Sequence, residues 1–185
     1  MRTLVSPRTA GVAIALAIVV RFATLAFHSV WLDEAFSVLT VQAHSAAEIW
    51  SPGIDPIHPP LFYLLLRGSL AFFGGGEVGA RLPSALASTI NLALVAWLAR
   101  VLFPTRRLGL IAALLLALAP IDLWYAQEAR MYELVTMAGL LWAIGLTLDA
   151  VWAPALAAIA LLFGLYLDHT MWPLAIVIAV MALAV

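Results

Sequence analysis

Apolar runs about as long as a bilayer is thick recur along this chain, and they narrow its possible folds more than any other feature. An α-helix rises about 1.5 Å per residue, so about 20 mostly apolar residues cross the roughly 30 Å of hydrocarbon. Five runs approach that length: about Ala10 to Val30, Leu82 to Phe103, Leu108 to Leu123, Leu134 to Leu148 and Val151 to Leu167. A further run, Pro173 to Val185, is shorter. No segment alternates with period two, so strands are not expected. Of the 185 residues, 10% are charged and 65% hydrophobic, whereas a soluble domain carries about 25% charged residues. A bilayer has to supply the missing solvent. The expected fold class is therefore all-α, a polytopic transmembrane bundle of about five to six spans making one domain over residues 1–185.

Orientation follows from where the arginines fall. Arg2 and Arg8 precede the first run, and Arg100, Arg106 and Arg107 cluster between the second and third. By the positive-inside rule the N-terminus and that loop are cytoplasmic. The N-terminal flank resembles a signal peptide, but the apolar run continues past Arg21 and no small-x-small cleavage site precedes Trp31, so an uncleaved anchor is expected. Arg21 either snorkels on its long stem or turns its charge toward a protein partner. Residues 31–80 become an outer loop, where Asp33, Glu34, Glu48, Asp55 and Glu77 outnumber Arg67 and Arg81. Within that loop Leu61 to Phe73 is too short to cross, reaching only about 20 Å, and Arg67, Gly68 and Ser69 interrupt it. We expect it to lie along the outer face, opened by Pro59 and Pro60 and closed by Gly74 to Gly76. Ala46 to Trp50 is expected to form a second short interfacial turn. The last run has no polar stop, so the chain is expected to be the N-terminal portion of a longer protein.

Charge and cysteine content exclude several function classes. The formal net charge is −1 and the chain has no lysine, which leaves no basic field for nucleic acid. Without cysteine there are no disulfides, thiolate metal sites or thiol nucleophiles.

Three polar groups embedded in apolar sequence then need explaining, and all are expected on the outer face. Asp33 and Glu34 follow the first run in WLDEAFS. Adjacent carboxylates near low-dielectric lipid suit a general base, a cation or a sugar, or else Asp33 simply caps the next turn. The second group is WYAQEARMYEL, residues 124–134. On a helix Glu128 and Tyr132 share a face, with Gln127 and Arg130 beside them. Arg130 either waits for a phosphate, which guanidinium grips with two prongs, or makes a plain salt bridge with Glu128. The third group is LDHT, where Asp168 and His169 either join the site or end the helix. His58, in IHPPLFY, is either polar filler or a substrate ligand.

WLDEAFS after the first run, HPPLFYLLLRGSLAFFG leading into GEVGARLPSALAS, and WYAQEARMYEL together resemble the C-type membrane glycosyltransferases, in the bacterial branch akin to protein O-mannosyltransferases and aminoarabinose transferases. The similarity covers about Arg21 to His169. It implies an enzyme of the bacterial inner membrane that takes a sugar from a polyprenyl-phosphate donor. The sugar passes to a glycan, lipid or protein acceptor on the outer face, usually with inversion. On that resemblance Asp33 acts as general base or positions the acceptor, with Glu34 beside it, and Gln127, Glu128 and Arg130 lie near the donor phosphate. Arg67 and Arg81 are second-rank candidates for gripping the lipid phosphate, against plain headgroup contact. A divalent cation held by Glu34 or Glu128 is left open, since no tight ligand spacing compels it. Two other classes compete: a transporter or flippase half with Arg21 lining a pathway, and a membrane subunit without chemistry.

Overall fold

The computed structural model describes residues 6–51, 53–103 and 105–183, and these residues form ten helices and no strand. They are α1 Pro7–Ala23, α2 Leu32–Ala43, α3 Ala46–Trp50, α4 Leu61–Phe73, α5 Glu77–Leu102, α6 Arg106–Ala117, α7 Pro120–Tyr125, α8 Tyr132–Thr147, α9 Ala153–Leu167 and α10 Met171–Leu183. The all-α expectation stands. By length and composition one helix, α5 with 26 residues, is sufficient to cross a membrane; α4, α6, α8 and α9 are shorter apolar helices. Arg2 lies outside the described residues, as does the end of the final apolar run.

The arrangement of polarity is that of a protein dissolved in hydrocarbon. Val12, Leu16 and Val19 of α1, Ile111 and Leu115 of α6, Ile159 and Leu162 of α9, and Ile176 and Val177 of α10 are all exposed. Arg21, Ser88, Asn91, Asp122 and Glu133 are buried. Soluble domains seldom bury so many charged side chains or expose so much apolar surface.

Helix α5 is the axis on which the rest is hung. Arg81, Ser84, Ser88 and Asn91 recur at steps of three and four, which sets them on one stripe of the helix, and each ties down a different neighbour. Arg81 reaches Glu34, and Ser84 donates to the Arg130 carbonyl at 2.9 Å. Ser88 donates to Asp122 at 2.9 Å, and Asn91 donates to both the carbonyl and the carboxylate of Glu133. Without a hydrophobic effect to drive helices together in lipid, such hydrogen bonds and close packing must do so. Packing is close between α8 and α9, where a Cβ on Gly145 would lie 2.7 Å from the Ala157 backbone, and between α5 and α6, where one on Gly109 would lie 2.6 Å from the Ala96 carbonyl.

Helix ends depart from the expected runs in three places. The first run stays apolar to Val30, but α1 stops at Ala23; residues beyond it turn, and Arg81 takes the carbonyls of Leu25, His28 and Ser29. The run Leu108 to Leu123 is two helices, α6 and α7, because Pro120 has no N–H to continue the ladder. Residues 126–131, read as helical, form turns and bends, and Tyr132 opens α8 instead. Glu128 and Tyr132 are therefore not one helical turn apart.

The short elements of the 31–80 segment follow their local signals. Helix α4 has the expected bounds, and Gly74 closes it with φ at 94°, a conformation that a side chain would strain. Phe62 and Leu66 of α4 are fully buried in a core shared with Val41 of α2, Ile49 of α3, Ala87 of α5 and Met131. This core carries α2, α3 and α4 on the end of the bundle where α1 finishes and α5 begins. Arg100 lies at the far end of α5, packed against Gly109 of α6.

Candidate functional site

Glu34 and the loop between α7 and α8 meet at one end of the bundle. Glu34 is buried, and its carboxylate receives a two-pronged grip from Arg81, with Nε to Oε1 at 2.8 Å and Nη2 to Oε2 at 2.7 Å. The Ala129 N–H adds a bond at 2.7 Å, and the Trp31 N–H closes the start of α2. Burial raises the carboxyl pKa, but these donors outweigh it and hold Glu34 below the usual 4.5. Arg81 in turn spends its remaining donors on the carbonyls after α1. The pair thus holds the end of α1, the start of α2, α5 and the 126–131 loop in register, and neither side chain has capacity left for a ligand.

Asp33, its neighbour, is placed differently. It is half-buried in the first turn of α2, where Trp31 and not Asp33 is the N-cap, and its carboxylate has no hydrogen-bond partner among the described residues. Its backbone carbonyl accepts from Ser37, one turn on.

Ser37 leads directly to Arg130. Nη1 of Arg130 donates to Ser37 Oγ at 3.1 Å, and Nη2 lies 3.2 Å from Nε2 of His58. Nδ1 of His58 is 2.9 Å from Asp55, which also accepts from the Tyr63 hydroxyl at 2.5 Å. Burial raises the Asp55 pKa, but Tyr63, the Ile57 and His58 N–H groups and the His58 ring outweigh it and hold the carboxyl below its usual value. Burial and the same carboxylate push the Tyr63 phenol upward.

Arg130 is 4% exposed, makes no ion pair among the described residues, and leaves its buried Nε without a partner. A buried cation with no counter-charge is costly unless something anionic completes it. Of the two alternatives for Arg130, the Glu128 salt bridge does not form. Glu128 accepts from Trp124 Nε1 instead, and its Oε2 is a second buried atom without a partner. Burial raises its pKa above the usual 4.5, only partly offset by Trp124, and the charges of Glu34 and Asp33 add to the rise.

The other sequence candidates scatter around this centre. Gln127 ties the loop to Thr24 at 2.6 Å, and the Tyr132 ring lies 5.9 Å from the Arg130 guanidinium and against Tyr125. Arg67 caps the end of α2 through the carbonyls of Val41 and His44, away from Arg130's partners. Asp168 receives the Thr170 N–H and so joins α9 to α10, while His169 borders a cleft of about 580 Å³ with Asp55 and His58. Among the described residues no group of three or more His, Asp or Glu gathers as metal ligands. Sequence reasoning passed over Ser37, Asp55 and Tyr63 as site residues. Asp55 had a local signal, lying three residues before His58 at the spacing of a tight turn.

Residues 57–185 match the model of the family described as dolichyl-phosphate-mannose-protein mannosyltransferase. The chain belongs to this mannosyltransferase family. It is a family of C-type membrane glycosyltransferases, in agreement with the resemblance carried by the three motifs. No curated protein and no solved structure matches the chain. His58, Arg81 and the 126–131 loop fall inside the mannosyltransferase match, and WLDEAFS falls before it. Arg21, which a transporter reading would set along a pathway, is fully buried against Asp122 and Ser88.

Proposed function

We propose that the chain transfers a sugar from a polyprenyl-phosphate donor to an acceptor hydroxyl on the non-cytoplasmic face of a bacterial inner membrane, as a multi-pass protein of five to six spans with its N-terminus in the cytoplasm. The observation that carries this reading is Arg130, buried, without a carboxylate, and held by His58 and by Ser37, the latter one helical turn along α2 from Asp33.

The chemistry needs two groups. Polyprenyl phosphate is already a fair leaving group, so the protein must take a proton from the acceptor and receive a developing anion. Asp33 takes the proton as the acceptor oxygen bonds to the anomeric carbon. The bond from that carbon to the phosphate oxygen breaks, and its electron pair leaves with the phosphate onto Arg130, whose planar fork suits a phosphate. The unpartnered Nε supplies a donor that no protein group already uses. Glu34 and Arg81 act by holding Asp33 and the Arg130 loop together.

Two substitutions in the membrane-embedded protein test the reading, assayed with polyprenyl-phosphate mannose. Asp33→Asn is expected to abolish transfer with donor binding retained, and Arg130→Ala to weaken binding of polyprenyl phosphate itself. Transfer retained by Asp33→Asn would reject it.

A further inference from the structure

On the far side of His58 from the arginine that would receive the phosphate lies a cleft. His58 accepts from Arg130 on one side and borders the cleft of about 580 Å³ on the other, a volume in the usual range of small-ligand sites. Asp55, His58 and His169 supply polar groups there; Trp50 from α3, Tyr166 from α9 and Trp172 from α10 supply aromatic ones. The rings of Trp50 and Tyr166 stack, with centroids 5.7 Å apart and planes within 5°, and so make one continuous wall.

We propose that this cleft is the subsite for the sugar ring of the lipid-linked donor, with Trp50 and Tyr166 as its aromatic wall and His169 as a hydrogen-bond partner for its hydroxyls. A pyranose has an apolar C–H face and a polar rim, and it needs both kinds of surface at once. A sugar joined to a phosphate on Arg130 is one ring away from the cleft, because His58 touches both. The remaining part of the donor, its isoprenoid chain, has a path as well. The same Trp50 and Tyr166 rings border an apolar groove with Ile159, Leu162 and Phe163, and Ile159 and Leu162 belong to the exposed apolar surface of α9. A glycan or protein acceptor would need no such groove, which favours the lipid-linked donor over either as occupant.

The proposal rests on Arg130 as phosphate site, so its test separates the two. Binding of polyprenyl-phosphate mannose and of bare polyprenyl phosphate to the full chain in lipid nanodiscs is measured side by side. The unaltered protein is expected to hold the mannosylated lipid about tenfold more tightly. Trp50→Leu and Tyr166→Leu are expected to remove that preference, whatever each costs in binding of the isoprenoid chain that both lipids share, and measurable binding of bare polyprenyl phosphate shows that the variants fold. A preference that survives both substitutions makes the rings interfacial anchors only and overturns the proposal. So does an equal loss for both lipids, or an unaltered preference accompanied by a raised KM for the acceptor. Arg130→Ala reports on the phosphate site separately: undiminished binding of bare polyprenyl phosphate would sink that reading whatever the sugar preference does.

Discussion

Nε2 of His58 lies 3.2 Å from Nη2 of Arg130 while Nδ1 of the same ring lies 2.9 Å from Asp55. A guanidinium can only donate, so Nε2 must accept and the ring proton must sit on Nδ1, given to the carboxylate. Asp55 thereby determines which face of His58 Arg130 meets. If this chain of contacts positions Arg130, Asp55→Asn and His58→Ala should each raise the KM for the lipid donor several-fold, and the double variant should be little worse than either. Additive effects in that double-mutant cycle would show that the two act independently.

The neighbouring acids Asp33 and Glu34 should fail in different ways. Asp33→Asn is expected to lower kcat by about 10²–10⁴ through loss of the base, with thermal stability unchanged. Glu34→Gln is expected to destabilise by about 3–5 kcal/mol, because it strands the buried Arg81 charge. Steady-state kinetics and thermal unfolding of the two proteins in detergent distinguish them. A Glu34→Gln protein with native stability would remove the scaffold role.

The Glu34 carboxyl also sets the direction of an acid effect. Its pKa is lower in the folded protein than the usual 4.5, so its contribution to stability is complete above about that pH. The contribution is lost as pH falls through the folded value. The unfolding temperature of the unaltered protein should drop in that window, and the drop should be smaller in Glu34→Gln.

Arg21 and Asp122 should show the signature of a buried pair. Each single change, Arg21→Leu or Asp122→Leu, leaves one uncompensated charge and is expected to cost about 3–5 kcal/mol. The double change should recover most of that loss. Unfolding in detergent measures it, and two additive losses would contradict the pairing.

Where local chemistry decides an element, the sequence was readable. Helix α4 begins after paired prolines and ends at a glycine whose backbone demands one, so its bounds could be read from punctuation alone. The break at Pro120 was equally local and was hidden only by the apolar residues around it. The stop of α1 at Ala23 was not readable, because the carbonyls it frees are satisfied by Arg81, more than fifty positions away. The site shows the same division. Asp33 and Arg130 stood out as charges in apolar surroundings, whereas Ser37 matters only because Arg130 reaches it from the other side of the fold. The stripe Arg81, Ser84, Ser88 and Asn91 was present in the spacing, but a reading by hydropathy counts its serines and asparagine as noise.

The Arg21 partnership sets an order of assembly. Asp122 follows Arg21 by 101 positions, and at roughly 5–20 residues per second a ribosome needs about 5–20 s to make the intervening chain. Throughout that interval the first helix carries a cation for which no counter-ion has yet been made. Its final seating must therefore await the arrival of α7, so α1 settles only after helices made well behind it.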